Sequence, residues 1–203
     1  VATYIDTIPE AIAMIEDAAK KGYEVTCNIM AISNCQESDV KIALNMLAQS
    51  PISTMYIVDS FGSLYPEEIR RLVDVYDGIM GPAGIKLGIH AHNNQQCAFA
   101  NTIEALSVGV SYLDATALGM GRGAGNCSLE NLLGFLKNPR YKLDSMLRFI
   151  EKHMLPLRES GLKWGYDLHY MLTGLTDQHP RTAIAAIKNG DTHYSDYYQM
   201  LLE

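Results

Sequence analysis

The chain has 203 residues, 48% of them hydrophobic and 19% charged, enough to bury a sizeable core in one domain, or in one domain plus a small appendage. Its net charge of −7, with the basic residues scattered along the chain, disfavours binding to a phosphate backbone. It has no uncharged apolar run of about 18 residues or more and no basic stretch ahead of an apolar one at the N-terminus. That argues against a membrane span or signal peptide and makes the cytoplasm the expected compartment. The chain opens on Val1 already in a strand-like run, so it is expected to be a piece of a longer protein.

Short β-type runs begin near Val1, Glu24, Thr54, Lys86 and Tyr112, each followed by a helical pattern, which makes one βα unit every 23 to 32 residues and predicts parallel strands. Thr7 reads as the N-cap of the first helix, with Pro9 in its first turn, Glu10 completing a capping box and Gly22 closing the far end. Ile8, Ile12, Ile15 and Ala19 would pack that helix on the sheet. The second strand spans Glu24 to Ala31. Thr26 and Asn28 share its face with Glu24, and filling a barrel interior is their stronger reading. A helix from about Ser38 to Ala48 turns Val40, Ala43, Leu44 and Leu47 inward.

The third strand, Met55 to Val58, is apolar as a strand covered on both faces should be, and it ends in Asp59-Ser60-Phe61-Gly62. A helix from Pro66 to Tyr76 follows, with Glu67 and Glu68 suiting its dipole. The fourth strand, Ile85 to His90, delivers His90 and His92, which point to one side because strand side chains alternate at period two. They form a candidate chelating pair. The fifth, Tyr112 to Ala115, delivers Asp114 and a loop with glycine at 119, 121, 123 and 125, where backbone such as that of Gly121 and Gly123 can approach an anionic or metal-bound ligand.

Helices alone follow Pro139: Leu143 to His153, Gly165 to Thr176, Pro180 to Lys188 and Tyr194 to Leu202. The division expected is therefore 1–140 for the βα units and 141–203 for the helical segment. Cys27, Cys35, Cys97 and Cys127 form no CxxC pair and are read as free, mostly buried thiols. His153, His169, His179 and His193 show no partner pattern and are read as surface or tail residues. Asn126 reads from its position as a helix N-cap for the segment starting at Ser128.

Two motifs carry a resemblance: His90-Ala91-His92-Asn93-Asn94 with Ala100-Asn101-Thr102-Ile103 behind it, and Asp114-Ala115-Thr116-Ala117-Leu118-Gly119-Met120-Gly121-Arg122-Gly123-Ala124-Gly125-Asn126. Together they resemble the HMGL-like metal-dependent pyruvate aldolases, the 4-hydroxy-2-oxovalerate aldolase branch in particular. The resemblance implies an α/β (βα)8 TIM-barrel-type fold of which this chain holds the C-terminal five βα units, strands four to eight, followed by a helical tail. Polar groups at strand C-terminal ends agree with the place where such barrels carry their sites.

The resemblance further implies that His90 and His92 are metal ligands, with Asn126 at or near a divalent metal, Mn²⁺ first and Mg²⁺, Co²⁺ or Zn²⁺ as alternatives. Asp59 and Ser60 match a pair whose hydroxyl lies close to the pyruvyl carboxylate; simple turn chemistry is the other reading of Ser60 and Gly62. Asp114 is expected to orient a ligand histidine. Tyr166 and Tyr170, in a looser match to the family's tail, are candidates for touching substrate, with packing as their alternative. The implied activity is aldol cleavage or formation next to a pyruvyl group of a small 2-keto acid, the cation stabilising the enolate as a Lewis acid. The family's third ligand, an aspartate, its base and its arginine come from the first strand and its loop, and no residue here matches them; an Arg-Asp pair roughly 130 residues upstream, judged from usual barrel size, would complete the site. The chain alone is thus expected to be inactive. An acyl-CoA lyase or Claisen-type synthase on the same scaffold, or a non-catalytic binding relative, are the rivals. A homo-oligomer and an aldehyde dehydrogenase partner docking on the tail are compatible with the family.

Overall fold

The computed structural model describes residues 1–203. Five strands, β1 (Ala2–Thr3), β2 (Val25–Ile29), β3 (Ile52–Asp59), β4 (Lys86–Ala91) and β5 (Tyr112–Leu113), form one sheet in the sequential order β1-β2-β3-β4-β5. The registers of β1 with β2, β2 with β3 and β4 with β5 are all parallel. Parallel neighbours need a crossover, and helices α1 (Ile8–Lys20), α2 (Glu37–Leu47), α3 (Pro66–Met80) and α4 (Ala98–Ser107) supply it. A parallel sheet whose strand order never reverses is the winding of a (βα) barrel, not of a doubly wound sheet.

The two faces of the sheet differ in chemistry. Cys27, Ile29, Met55, Ile57, Leu87 and Ile89 are buried at 5% exposure or less and form the core with Val40, Ala43, Leu44 and Leu47 of α2. Each fully buried aliphatic side chain contributes about 1.5–3 kcal/mol, so this side dominates the stability of the sheet. The register pairs Asn28 with Tyr56 and Gly88 with Tyr112, and two residues on come His90 and Asp114. Period-two alternation therefore puts Asn28, Tyr56, Gly88, His90, Tyr112 and Asp114 on the opposite face. That face is polar, and the site grows from it.

Contacts divide the chain into two compact units, one of Val1–Ser60, Leu64–His90 and Ala100–Asp114, the other of Phe61–Ser63, Ala91–Phe99 and Ala115–Glu203. The second holds α5 (Leu129–Leu136), α6 (Leu143–Phe149), α7 (Leu155–Glu159), α8 (Leu168–Leu175), α9 (Arg181–Lys188) and α10 (Tyr194–Leu202). Leu172, Ala183, Tyr197 and Leu201 pack α8, α9 and α10 together.

Several local expectations are corrected. Thr7 precedes α1 but gives it no side-chain cap; its hydroxyl bonds to Tyr4 and Thr3, because residues 5–7 already form a 3₁₀ turn. The expected helix Leu143 to His153 is interrupted by a π-helical stretch, Ile150–Met154, ahead of Pro156, which has no amide to offer the Lys152 carbonyl. His169 is a core residue, 1% exposed, with its ring 4.9 Å from that of Tyr194 and 4.8 Å from that of Tyr197 and its Nδ1 3.0 Å from Asp167. His179 also has a partner, the Phe61 ring, met edge-on with ring centres 5.7 Å apart, and burial together with Arg122 and Arg181 pushes its imidazole down in pKa.

Replacing His169 with Ala leaves a cavity between α8 and α10 and removes two aromatic contacts. A loss of about 3 kcal/mol is expected, to be read from urea unfolding. A loss below about 1 kcal/mol would show that α10 does not depend on this ring.

Candidate active site

β4 positions His90 one residue before its end, and the extended backbone continues through His92, which forms an antiparallel bridge with Asn126. Residues i and i+2 of an extended segment project to one side, so the spacing by itself pairs the imidazoles. His90 Nδ1 lies 3.0 Å from Asp114 Oδ2. A carboxylate on Nδ1 holds the proton there, which makes Nε2 the nitrogen suited to a cation. The expectation that Asp114 orients a histidine thus has a geometric basis.

Tyr56, an electrostatic neighbour of Asp114, is a residue that sequence reasoning missed. Burial, followed by the nearby Asp114 charge, pushes the Tyr56 phenol up to about 12. The neutral phenol is the favoured form. Whatever stability this contributes is fully present below the ordinary tyrosine range and is lost as the pH rises through the folded value near 12. In a 295 nm titration one phenolate should form about two units late in the wild type and be missing in Y56F; identical curves would contradict the placement.

The glycine loop closes on itself. Asn126 donates its backbone N–H to the Gly119 carbonyl at 2.9 Å, and Gly125 donates to Arg122 at 3.0 Å. Gly125 has φ +84, and a Cβ there would fall well inside contact distance of the Gly119 carbonyl oxygen. At Gly121 a Cβ would lie 2.5 Å from the Asn126 side-chain nitrogen. Gly121 therefore makes room for Asn126, and Gly123, with its φ of +61, makes room for the Tyr170 ring.

Asn126 does not cap a helix. Ser128 holds the N-cap position of α5, and Asn126 Nδ2 instead donates to the Met120 carbonyl at 3.1 Å. Its Oδ1 is buried without a hydrogen-bond partner. A buried carbonyl oxygen left bare is costly and fits a cation or a ligand donor. Two imidazoles and an amide oxygen are donors that suit a six-coordinate divalent cation, as a partial set. No group of three His, Cys, Asp or Glu side chains that could hold a metal ion is formed within the chain.

Asp59 is 1% exposed and accepts from the Leu64 amide at 3.4 Å, which organises the turn after β3. Ser60 Oγ accepts from the Ala31 amide at 2.9 Å, tying the turn after β2, where Ala31 adopts φ +54, to the end of β3. These are structural bonds. Tyr166, 55% exposed, and Tyr170 line a cavity of about 330 Å³ with Gly123, Arg158, Lys163 and Trp164. The Arg158 guanidinium lies 4.6 Å from the centre of the Trp164 ring, and Trp164 Nε1 donates to the Leu118 carbonyl at 2.9 Å. Asn94, 2% exposed, donates Nδ2 to the Tyr170 carbonyl at 3.1 Å and anchors α8 to the loop that follows His92.

A singly wound parallel sheet with an imidazole pair where a strand ends and a glycine loop after the next strand defines a (βα)8-type α/β protein. The HMGL-like family profile matches residues 3–152, 150 of the 203 residues, and the chain belongs to that family. Oxaloacetate decarboxylase of Mycobacterium tuberculosis (strain ATCC 25618 / H37Rv) is 39% identical over 124 residues, covering 61% of this chain and 36% of that protein. 4-Hydroxy-2-oxovalerate aldolase of Bacillus cereus (strain 03BB102) is 31% identical over 162 residues, 77% of this chain and 46% of that protein. The crystallised N-terminal domain of a protein from Bacteroides vulgatus superposes with a TM-score of 0.80 at 26% identity, covering 92% of this chain and 62% of that one. The chain thus spans less than half the length of these two curated relatives. No helix is long and apolar enough to cross a membrane.

Proposed function

We propose that this chain carries the metal-binding portion of a divalent-metal-dependent lyase that breaks or forms a C–C bond next to the pyruvyl group of a 2-keto acid. The observation that carries this reading is the bare, buried Oδ1 of Asn126. Support comes also from the His90–Asp114 bond. His90 and His92 hold the cation, with Asn126 at or beside it; Mn²⁺ is the metal proposed, since imidazole with oxygen donors and open positions suits it. Asp114 holds His90. A divalent cation bound there supplies a Lewis acid for the 2-keto oxygen and the neighbouring carboxylate. Ser60 and Asp59, with the Gly121 and Gly123 backbone, are proposed to border the pyruvyl carboxylate, and Tyr166 or Tyr170 the rest of the substrate. Residues 1–140 would carry the ligands and the segment 141–203 the tyrosines. A cytoplasmic enzyme is the setting proposed.

Two reactions share this chemistry. Aldol cleavage of a 4-hydroxy-2-keto acid breaks C3–C4 and releases an aldehyde, and it needs a base for the 4-hydroxyl proton. Decarboxylation of oxaloacetate breaks the corresponding bond, releases CO₂ and needs no such base. The 39% identity to a protein named oxaloacetate decarboxylase favours including the second reaction. With Mn²⁺ present, pyruvate release by the intact protein from 4-hydroxy-2-oxovalerate and from oxaloacetate is the test. Turnover of either supports the proposal. Thiol release from an acyl-CoA with neither keto acid consumed would favour the acyl-CoA rival, and an intact protein that binds no divalent cation would favour a non-catalytic relative.

A further inference from the structure

The turn that opens the glycine loop is strained. Leu118 has φ +51 and ψ +26, in the left-handed region, where the Cβ of an L-residue crowds its own backbone. Side chains from later in the chain take both of its backbone groups. Its amide donates to the Glu130 carboxylate at the start of α5 at 3.0 Å, and its carbonyl accepts from Trp164 Nε1 at 2.9 Å. Trp164 lies 46 residues on, in the segment between α7 and α8. That segment meets the loop at two more points: the Gly165 amide donates to the Gly123 carbonyl at 3.0 Å, and a Cβ at Gly125 would lie 3.7 Å from Trp164 Cδ1. The seat of Asn126 hangs on this turn. Gly119 follows Leu118 directly and takes the Asn126 amide on its carbonyl at 2.9 Å, so a rotation of Leu118 toward an unstrained conformation carries that acceptor away. Asn126 is the residue whose buried Oδ1 is bare.

We propose that Trp164 is a positioning residue of the metal site: its indole N–H, together with the Glu130 carboxylate, clamps Leu118 in its left-handed conformation and so holds Asn126 Oδ1 where a divalent cation is taken up. This rests on the functional reading given above. The tail segment is thereby part of the site although it gives the cation no ligand. Glycine adopts the conformation of position 118 at no steric cost, so the clamp is needed because the residue there is leucine.

W164F in the intact protein keeps an aromatic ring beside Arg158 and removes the indole N–H, so an unchanged far-ultraviolet circular dichroism spectrum is expected. In the metal-free protein, hydrogen exchange at the Asn126 amide should quicken about tenfold, because its acceptor on Gly119 is no longer fixed. Mn²⁺ titration should show affinity weakened about tenfold. E130A cuts the other arm of the clamp and should do the same, and it carries the test if W164F does not fold. In an L118G background either change should alter affinity less than about twofold, because no strain remains to be held. A loss of affinity as large with L118G as without it would mark plain packing and overturn the proposal, as would unchanged exchange and affinity in W164F and E130A. A wild type that binds no Mn²⁺ would instead overturn the functional reading, and exchange at Asn126, which needs no metal, would still decide the role of Trp164.

Discussion

Replacing His92 with Ala should abolish divalent-cation binding by the intact protein within the measurable range, a loss of about a hundredfold or more in Mn²⁺ affinity. The magnitude follows from comparison: partners that only orient a ligand cost about 10- to 100-fold when removed, and a direct ligand costs at least the upper end. His92 is the sharper choice than His90, since its loss leaves the His90–Asp114 contact intact. Stability should change little, because His92 is only half-buried. An H92A protein that takes up Mn²⁺ as the wild type does would remove His92 from the ligand set.

A stability effect as large as that at His169 is expected at Gly125. An alanine there must adopt φ +84, which costs about 1–2 kcal/mol for an L-residue, and its Cβ presses on the Gly119 carbonyl. That carbonyl cannot swing aside without giving up the bond from the Asn126 amide, and the Gly125 carbonyl likewise holds the Asn93 amide at 2.9 Å. Strain and broken bonds together should cost about 3 kcal/mol in urea unfolding. Because the same bonds seat Asn126 and the residue after His92, metal affinity should fall in parallel. A G125A protein within about 1 kcal/mol of wild type would mean that the loop has another conformation open to it.

What can be read from the sequence, and what cannot, divides along the range of the interactions. The βα rhythm is written in local composition, and the five strands fall where the apolar runs begin. The inward set Val40, Ala43, Leu44 and Leu47 of α2 is buried in full, because helical periodicity on an amphipathic element is a local property. The HxH spacing and the glycine loop are local as well, so the candidate ligands are legible at once. Tyr56 is not. The place of its ring over the neighbouring strand depends on register and on the absence of a side chain at Gly88, and neither leaves a mark near position 56.

Asn126 and Thr7 show the limits of local rules. Both occupy positions that suit a cap, but tertiary partners claim their side chains: the Met120 carbonyl for Asn126, Thr3 and Tyr4 for Thr7. From sequence His169 reads as a surface or tail residue, because one histidine on an amphipathic helix carries no signal. Only the packing of α8 against α10 encloses it between two tyrosine rings. Pro156, two residues past the π-helical stretch, is the visible warning that the helix from Leu143 does not run straight through.

Two imidazoles of one strand end sharing a divalent cation is the claim on which the proposed function stands. Pulsed electron paramagnetic resonance of the intact protein loaded with one equivalent of Mn²⁺ tests it directly, because nitrogen bound to manganese modulates the echo. The expected result is modulation from two imidazole nitrogens, reduced to one in H90A and likewise in H92A. A wild-type spectrum showing no imidazole nitrogen on the metal would contradict it.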